Sequence, residues 1–331
     1  MRPVVVLGAG SWGTALAIQF ARGGKPVVLW GRAEDEPEKL ARERENVRYL
    51  PGAKFPPSLA IESSLDKALA QGDDVVVVVP SSVLRAVLTE IRPMLGPQAR
   101  VAWASKGFEL ATGKLPHEVA REVLGPRVPI AVLSGPTFAK EVGQGRPTAI
   151  AVASPDEDFA RALAERISSG GFRAYTQTDI VGVEIGGAVK NVLAIATGCS
   201  DGLGYGSNTR VFLITRGLAE LMRLGVALGA KRETLMGLAG LGDLVLTCTD
   251  DQSRNRRFGR ALAAGKPVEA AIAEIGQVVE GYHAAKAVNL VAGRHGVDMP
   301  ICRHVYEVLH QKVPLEDVVG RMLAREVTPE N

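Results

Sequence analysis

One lysine lies in a segment that otherwise consists mainly of small and apolar residues. Lys190 is flanked by Gly186–Val189 before it and Asn191–Ala194 after it. Such a segment predicts a buried helix, and burial lowers the pKa of a lysine because it disfavours the charged ammonium. Lys190 could therefore exchange a proton near neutral pH. The alternative is a lysine whose stem packs while its ammonium reaches water, but Gly186 and Gly187 favour the close approach of a ligand.

A carboxylate that could pair with this lysine occurs in the glycine-rich segment 240–249. Asp243 and Thr247 are four residues apart, so they share one face if the segment is helical. Asp243 is then placed to accept a hydrogen bond from a lysine ammonium or from a substrate hydroxyl. Considered alone, Asp243 is more simply interpreted as a helix cap.

The segment Ser253–Arg257 begins a predicted helix and contains a hydroxyl, a side-chain amide and three arginines. Free backbone amides, a hydroxyl and a guanidinium group together suit a phosphate dianion. For this motif alone, a basic surface turn is an equally good interpretation. The three arginines cannot all contact one ligand, and Arg254 is the preferred candidate because it lies between Ser253 and Asn255.

The glycine motif at Gly8–Gly13 directly follows a predicted strand and begins a predicted helix. In that context, G-x-G-x-x-G indicates dinucleotide binding rather than a glycine turn without a ligand. Gly8 permits a tight turn, Gly10 lets the backbone approach a pyrophosphate, and Gly13 lets the helix lie close to the strand. The free amides and the positive end of the helix dipole then bind the phosphates.

The end of the second predicted strand bears on the choice of cofactor. An acidic residue there would select NAD(H) through a ribose hydroxyl, but Glu34 and Asp35 come slightly late. Arg32 stands there instead and could pair with a 2′-phosphate. The sequence therefore predicts NADP(H) or NAD(H) as the cofactor, with NADPH preferred. A solvated surface charge is the alternative interpretation of Arg32.

Three loops follow later strands, at the edge where ligands bind in open parallel sheets. They are 80–82, 105–107 and Ser134–Glu141. Lys106 lies in the second loop, so we expect its side chain at the nicotinamide end of the crevice. This position distinguishes Lys106 from an ordinary solvated lysine.

The elements that must position these residues fall into two groups. In the first half of the chain, short apolar runs alternate with helical stretches, which predicts a doubly wound parallel sheet with right-handed crossovers. The predicted strands are Val4–Leu7, Val27–Trp30, Val75–Val79, Val101–Ala104, Ile130–Leu133 and Ala149–Val152. The predicted helices between them are Trp12–Arg22, Val83–Ile91, Leu115–Val123 and Phe159–Ile167.

Beyond the boundary at Asp179–Gly182, valine-rich strands give way to helical patterns. The predicted helices there are Val183–Ala196, Val211–Leu228, Arg254–Ala264, Val268–Ile275, Gly281–His295 and Ile301–His310. The expected fold class is therefore α/β, with an N-terminal Rossmann-type parallel sheet followed by an all-α domain. The first domain, residues 1–180, would bind the dinucleotide, and the second, residues 181–331, would bind substrate and carry the catalytic lysine.

Composition narrows the class of protein. The chain has 331 residues, 46% of them hydrophobic and 23% charged, and a net charge of +3, which excludes a disordered chain and gives no basis for a nucleic-acid or membrane partner. Its three scattered cysteines favour a reducing compartment. Glycines interrupt the apolar N-terminus, unlike a signal peptide or a spanning helix. We expect a soluble cytoplasmic protein without a bound metal ion.

A dinucleotide loop, a proton-transferring lysine and a phosphate site together predict an oxidoreductase for a small phosphorylated alcohol or ketone. At this point the chain resembles the bacterial NAD(P)-dependent glycerol-3-phosphate dehydrogenases. The resemblance rests on Gly8–Ala15, Lys106–Gly107, Ser134–Glu141, Gly187–Asn191, Gly240–Leu244, Ser253–Arg257 and Gly276–Gly281. These segments occur in the family's order over nearly the whole chain, which is more specific than any single motif.

The resemblance implies that the protein interconverts dihydroxyacetone phosphate and sn-glycerol 3-phosphate and supplies the glycerol backbone of phospholipids. It implies that Lys190 is the catalytic acid/base, assisted by Asp243, and that the chain forms a homodimer. The implied substrate contacts are Lys106, Gly135, Thr137, Lys190, Asp243, Ser253, Arg254 and Asn255. The implied cofactor contacts are Ser11, Trp12, Arg32, Lys106, Ala139, Arg254, Val278 and Glu280.

Two other readings of the same residues stay open. A 6-phosphogluconate or 3-hydroxyacid dehydrogenase would also combine a dinucleotide domain with a helical domain and a catalytic lysine. The segment after Asp243 favours glycerol phosphate over these substrates. The second is an NADPH-binding redox sensor without turnover, and the buried lysine argues against it because a sensor needs no proton donor.

Overall fold

The fold is an eight-stranded sheet with helices on both faces, joined to a group of helices formed by the second half of the chain. The computed structural model describes residues 2–323. The strands are β1 (Val4–Leu7), β2 (Val27–Trp30), β3 (Leu59–Glu62), β4 (Asp74–Val77), β5 (Arg100–Trp103), β6 (Ile130–Ser134), β7 (Thr148–Ala153) and β8 (Phe172–Gln177). Their order across the sheet is β3-β2-β1-β4-β5-β6-β7-β8.

The helices of the first half alternate with these strands. They are α1 (Ser11–Ala21), α2 (Pro37–Glu43), α3 (Leu65–Gln71), α4 (Ser81–Ile91), α5 (Pro116–Leu124), α6 (Ala139–Gly143) and α7 (Glu157–Ile167). The second half contains α8 (Ile180–Gly202), α9 (Ser207–Ala227), α10 (Arg232–Leu235), α11 (Asp243–Thr249), α12 (Arg254–Ala263), α13 (Val268–Ile275), α14 (Glu280–Arg294), α15 (Pro300–His310) and α16 (Leu315–Leu323). A π-helical segment, Leu238–Gly242, directly precedes α11.

The centre of the sheet explains why β1 is a continuous apolar run. β1 pairs in parallel with β2 and β4, so that Val5 lies opposite Val28 and Val75. Val4 and Val6 belong to one buried cluster, whereas Val5 belongs to another. Because successive side chains of a strand point to opposite faces, both faces of β1 are covered, and a strand in that position must be apolar throughout.

The sequence expectation of a wholly parallel sheet is wrong at one place. β6 and β7 pair in an antiparallel manner, with Leu133 opposite Val152, whereas every other pair of neighbouring strands is parallel. The connection between them contains only the short helix α6. Residues 135–147 are numerous enough for a parallel crossover, but α6 has only five residues. A helix of that size is about 7.5 Å long, too short to carry the chain back along β6, so the chain turns back instead.

The remaining expectations for the sheet are confirmed, apart from two strands that were not predicted. The predicted strands and helices all occur, with ends that differ by a few residues. The missed strands β3 and β8 lie at the two edges of the sheet. Both strands carry exposed residues. These are Ala60 in β3 and Arg173, Tyr175 and Thr176 in β8. An edge strand needs no continuous apolar run, which is the feature that identified the central strands.

Helix α8 is the core of the second half. It contacts α9, α11, α12, α14 and α15, and the Asp179 side chain caps it by accepting a hydrogen bond from the backbone amide of Gly182 at 2.9 Å. By length and composition α8 could cross a membrane, but 89% of its most apolar window is buried inside the protein. It is therefore the core helix of the fold. The predicted second domain extends to residue 331, and residues 324–331 lie outside the described part.

Candidate active site

Three charged side chains from separate elements meet at one buried point. The Lys190 Nζ of α8 lies 2.5 Å from Oδ1 of Asp243, and the Lys106 Nζ from the loop after β5 lies 2.6 Å from Oδ2 of the same carboxylate. Asp243 is 1% exposed and Lys190 7%. The sequence suggested a pairing of Asp243 with a lysine, and the structure shows the carboxylate between two ammonium groups.

The buried charges shift each other's pKa. Burial lowers the pKa of Lys190 to about 8; the nearby Lys106 ammonium acts in the same direction, and the Asp243 carboxylate opposes both. Burial alone would raise the pKa of Asp243, but Lys106 and Lys190 outweigh it and hold that pKa below its usual value. A lysine with a pKa of about 8 can release and regain a proton in the physiological range.

Helix α11 orients this carboxylate. Thr247 lies one turn after Asp243, as expected if the segment is helical. Its hydroxyl donates to the backbone carbonyl of Asp243 at 2.6 Å and accepts from the Lys190 ammonium at 3.0 Å. The donor role fixes the hydroxyl proton, so an oxygen lone pair faces the lysine. The residue at the cap position of α11 is Gly242, and the Asp243 carboxylate is engaged by the two lysines, so Asp243 does not serve as the helix cap.

The glycines before Lys190 serve protein packing rather than ligand approach. A Cβ on Gly186 would lie 2.1 Å from the backbone oxygen of Ala239, and a Cβ on Gly187 would lie 3.3 Å from Cγ of Lys106. The sequence interpretation, which gave this space to a ligand, is therefore wrong. Gly186 lets α8 pack against the π-helical segment, and Gly187 makes room for the stem of Lys106.

A hydrogen-bonded chain of amides begins at the residue after Lys190. Asn191 Nδ2 donates to Glu280 Oε2 at 3.0 Å, and Asn255 Nδ2 donates to Asn191 Oδ1 at 3.0 Å. The backbone amide of Gly281 donates to Asn255 Oδ1 at 2.9 Å. The chain joins α8, α12 and α14. Sequence reasoning did not select Asn191, although its place beside Lys190 was a usable signal.

The start of α12 lines a cavity that Lys106 and Lys190 also line. Ser253 caps the helix, its hydroxyl accepting from the amide of Arg256 at 3.2 Å. Arg256 is buried, and its guanidinium pairs with Asp201 of α8 at 2.7 Å, so it joins α12 to α8. Arg254 and Arg257 line the cavity. Arg254 therefore stays a candidate for the phosphate, and Arg257 is a second cavity arginine that the sequence interpretation passed over.

The glycine loop has the geometry that dinucleotide binding requires. Gly8 has a φ of +116°, and a Cβ there would lie 2.4 Å from the carbonyl oxygen of Val78. A Cβ on Gly13 would lie 1.9 Å from the Gly8 oxygen, whereas a Cβ on Gly10 would meet nothing within 4 Å. Gly8 and Gly13 are thus needed for the turn and the packing, and the surface at Gly10 is open to a ligand. The Trp12 indole Nε1 is buried and has no hydrogen-bond partner within residues 2–323.

Arg32 follows the end of β2, next to Gly31, where an added Cβ would lie 3.0 Å from Cβ of Ala9 in the glycine loop. Its side chain is 66% exposed, with Nε 3.7 Å from a carboxylate oxygen of Glu34 and 4.0 Å from one of Asp35. The Asp35 carboxylate accepts from the backbone amide of Arg32 at 2.9 Å. The mostly buried carboxylate of Asp35 is thus hydrogen-bonded to the backbone. The guanidinium of Arg32 is accessible to an anion.

A cavity of about 390 Å³ connects these parts. The predicted site residues that line it are Ser11, Trp12, Lys106, Thr137, Ala139, Lys190, Ser253, Arg254, Asn255 and Glu280. Asp243 lies beneath the two lysines, Gly135 packs against the β7 backbone, and Val278 is 51% exposed. Gly8, Gly10, Gly13 and Arg32 do not line this cavity. Gln252, Gln277 and Lys140 line it without having been predicted.

Gly135 nevertheless supports a neighbour that faces the cavity. The Thr137 hydroxyl donates to the carbonyl oxygen of Gly135 at 3.2 Å. A Cβ on Gly135 would lie 3.2 Å from Cα of Ile150, so the loop lies close to β7 there. Within residues 2–323, no group of three or more His, Cys, Asp or Glu side chains is placed to hold a metal ion.

Comparison with known proteins gives a consistent result over both halves of the chain. Residues 3–160 match the family model described as NAD-dependent glycerol-3-phosphate dehydrogenase N-terminus, and residues 179–320 match the model of the C-terminus of the same family. The chain is similar to proteins named glycerol-3-phosphate dehydrogenase (NAD(P)+). The one from Pseudoalteromonas translucida is 56% identical over 324 residues, which cover 98% of this chain and 97% of the relative.

Two further comparisons agree. The protein of that name from Aliivibrio fischeri is 54% identical over 329 residues, covering 99% of this chain and 96% of the relative. A crystal structure of glycerol-3-phosphate dehydrogenase from Coxiella burnetii superimposes with a TM-score of 0.94 at 46% identity, covering 98% of this chain and 99% of that one. The similarity therefore extends over both halves, including every element that forms the cavity.

Proposed function

The chain belongs to the NAD-dependent glycerol-3-phosphate dehydrogenase family, and we propose that it reduces dihydroxyacetone phosphate to sn-glycerol 3-phosphate with NAD(P)H. The observation that carries the proposal is the buried Lys106–Asp243–Lys190 cluster beside the amide-rich start of α12. The charged cluster suits a proton transfer at a carbonyl, and the start of α12 suits a phosphate group on the same small molecule. In the cell, this reaction would supply the glycerol backbone of phospholipids.

Lys190 is the proposed proton donor. When bound, the reduced nicotinamide supplies the hydride. Lys190 then gives its proton to the oxygen of the substrate ketone as negative charge develops there. Asp243 holds the ammonium of Lys190 and, through Lys106, a second positive charge beside that oxygen. Both lysines and Asp243 thus act in proton transfer and electrostatic stabilisation, and their separate elements keep them in fixed relative positions.

The substrate phosphate is assigned to the start of α12. Arg254 supplies a guanidinium group, and the backbone amides of the first turn supply further donors. The Asn255 side chain gives one N–H to Asn191 and accepts from the Gly281 amide, so its second side-chain N–H and its backbone amide are the donors proposed for the phosphate. Ser253 contributes by capping the helix. Thr137, supported by Gly135, completes the proposed substrate contacts.

The cofactor is assigned to the glycine loop and to the cavity rim. Gly8, Gly10 and Gly13 form the loop, Ser11 and Trp12 begin α1, and the unpartnered indole N–H of Trp12 suits a polar ligand. The other proposed contacts are Lys106, Ala139, Arg254, Val278 and Glu280. Arg32 is proposed to bind the 2′-phosphate, which makes NADPH the preferred cofactor.

The remaining assignments concern the whole chain. We divide it into a dinucleotide-binding domain, 1–180, and a helical substrate-binding domain, 181–331, a division supported by the start of α8 at Ile180. All three cysteines are buried and free, which supports a cytoplasmic location. A homodimer is supported by Val211 and Phe212, which are 61% and 55% exposed beside an apolar groove of about 470 Å³.

The test is the loss of reduced-nicotinamide absorbance when dihydroxyacetone phosphate is added to the purified protein with NADPH, and with NADH in parallel. Rapid oxidation that requires the phosphorylated ketone is the expected result. Folded protein that oxidises neither cofactor with this substrate, but reduces NADP+ or NAD+ when given 6-phosphogluconate or a 3-hydroxyacid, would overturn the substrate assignment. Tight NADPH binding without turnover of any substrate would instead indicate a sensor.

A further inference from the structure

The two ammonium groups that contact Asp243 come from elements that are far apart in the sequence. Lys106 follows β5, whereas Lys190 lies in α8. Their relative position is therefore set by how β5 and α8 pack together. Their buried apolar residues, such as Val101, Trp103 and Val183, belong to one cluster, and apolar packing is not directional. The position of α8 relative to β5 therefore depends on directional contacts as well.

Glu184 provides a directional link between them. This α8 residue is 4% exposed, and its Oε1 accepts from the indole Nε1 of Trp103, the last residue of β5, at 2.9 Å. The same oxygen accepts from the backbone amide of His117 at 3.0 Å, and Oε2 lies 2.6 Å from Nδ1 of the His117 ring. One carboxylate thus joins α8, β5 and the start of α5.

The next turn of α8 contacts Lys106 itself. Gly187 is one turn after Glu184, and a Cβ there would lie 3.3 Å from Cγ and 3.4 Å from Cδ of Lys106. Trp103 is three residues before Lys106. Glu184 therefore holds the end of β5 just before the loop in which the Lys106 stem contacts Gly187. A movement of α8 relative to β5 would displace the Lys106 stem.

We propose that Glu184 is a positioning residue for the reduction: by holding Trp103 and His117, it keeps the Lys106 ammonium against Asp243. The proposal rests on the proposed function. Glu184 does not line the cavity, so it acts only through other residues. Buried carboxylates are kept where their hydrogen bonds are all made, and Glu184 has three such partners: the Trp103 indole, the His117 backbone amide and the His117 ring.

The position of Lys106 has a measurable consequence. The charged and titratable groups that face Lys190 are Asp243 and Cys248 from α11, Lys106 from the loop after β5, and Glu280 from α14. The Lys106 ammonium lowers the pKa of Lys190. If Lys106 moves away from Asp243, the pKa of Lys190 must rise, and the high-pH limb of the reduction rate must move to higher pH.

Glu184→Leu is the main variant, and Glu220→Leu is its matched control. Glu220 in α9 is 1% exposed and likewise accepts from backbone amides at a helix start, from Ile301 at 2.6 Å and Cys302 at 3.1 Å. Both variants lose a buried carboxylate that holds a helix terminus. Only Glu184→Leu should lower kcat, on the order of tenfold or more for a displaced charge, and move the limb upward. Glu184→Gln keeps an acceptor for Trp103 and His117, so it should fall closer to the wild type.

The Lys190 pKa is read in two ways, from the pH–rate profile and from the titration of its side-chain nitrogen by NMR in 15N-lysine-labelled protein. If Glu184→Leu does not fold, Trp103→Phe removes one donor alone and should shift the pKa in the same direction. An unchanged Lys190 pKa in the folded variant, or an equal shift in Glu220→Leu, would overturn the proposal. Because the NMR titration needs no turnover, an inactive wild type would overturn only the proposed reaction.

Discussion

The ammonium of Lys190 is the proton donor on which the proposed reduction depends. Replacing it with Ala removes the donor, and general acid catalysis typically contributes about 10²–10⁴-fold to a rate. We therefore expect Lys190→Ala to lower kcat by about that factor, with little change in NADPH affinity because the glycine loop is untouched. Steady-state kinetics and a cofactor titration by fluorescence measure the two quantities.

An exposed lysine provides the control for that variant. Lys286 lies on the exposed side of α14, so Lys286→Ala removes one lysine of the same type without reaching the cavity. It should keep the wild-type kcat. A Lys190→Ala protein that turns over at a rate comparable with Lys286→Ala would remove Lys190 from its proposed role.

The pKa of Lys190 predicts the pH dependence of reduction. A proton donor must be protonated, so the rate should be level below pH about 8 and fall about tenfold per pH unit above it. The Asp243 carboxylate stabilises the charged ammonium and raises that pKa. In Asp243→Asn the limb should therefore move to lower pH, in addition to a fall in kcat. A pH–rate profile of both proteins measures this, and a limb that stays in place or moves upward would contradict the assignment.

The exposed guanidinium of Arg32 predicts the cofactor preference. In Arg32→Ala we expect the KM for NADPH to rise about tenfold, the order expected for one lost charge-assisted contact, with little change for NADH. Arg42, another exposed arginine with a carboxylate neighbour, is the control and should leave both constants unchanged. Equal KM values for the two cofactors in the wild type would contradict the preference.

At the residue scale, the sequence indicated that Lys190 and Asp243 could pair, but not that Lys106 contacts the same carboxylate. Lys190 was recognisable because a charged side chain is rare in a buried apolar helix. Asp243 was recognisable because it is an acidic residue in a glycine-rich segment. The packing role of Gly186 and Gly187 was not recognisable, because the groups that they contact, the Ala239 carbonyl and the Lys106 stem, belong to distant parts of the chain. Local sequence does not say whether the space beside a glycine holds a ligand or protein.

At the scale of elements, the loop between β1 and α1 separates two uses of glycine. An Ala at position 8 would have a positive φ and a Cβ 2.4 Å from the carbonyl oxygen of Val78, so Gly8→Ala should lose at least about 1–2 kcal/mol of stability. A Cβ on Gly10 meets no protein atom within 4 Å, so Gly10→Ala should fold normally yet bind NADPH less tightly. Thermal melts and cofactor titrations separate the two effects. A Gly10→Ala protein with wild-type affinity would show that no pyrophosphate approaches there.

The sheet shows how far element patterns alone extend. Central strands such as β1 and β4 are apolar throughout because helices cover both faces, and the sequence identified them. β3 and β8 lie at the edges, where only part of each strand is buried, so no apolar run marked them. The antiparallel pairing of β7 depends on the short helix in the connection before it, which an apolar run in β7 itself does not encode.

At the scale of the whole molecule, the site exists only where the two halves of the chain meet. Lys106 and Thr137 come from loops of the sheet, whereas Lys190, Asp243 and Arg254 come from the helices. The long helix α8 contacts both β6 and the helical group, so it is the element that joins them. The proposed hydride transfer and proton transfer thus depend on the packing of α8, which makes packing between the halves a catalytic requirement.

The apolar groove at the C-terminal end of α8 predicts the assembly state. Val211 and Phe212 are exposed beside a largely apolar surface formed by α8, α9, α15 and α16, and patches of this kind commonly mark protein contacts. Light scattering should therefore give twice the chain mass of 35.0 kDa. Phe212→Ser should shift the protein toward monomers, whereas Met94→Ser, at an apolar residue that is 41% exposed elsewhere, should not. A wild-type protein of single-chain mass at micromolar concentration would contradict the homodimer, and an unaltered dimer in Phe212→Ser would place the interface on another surface.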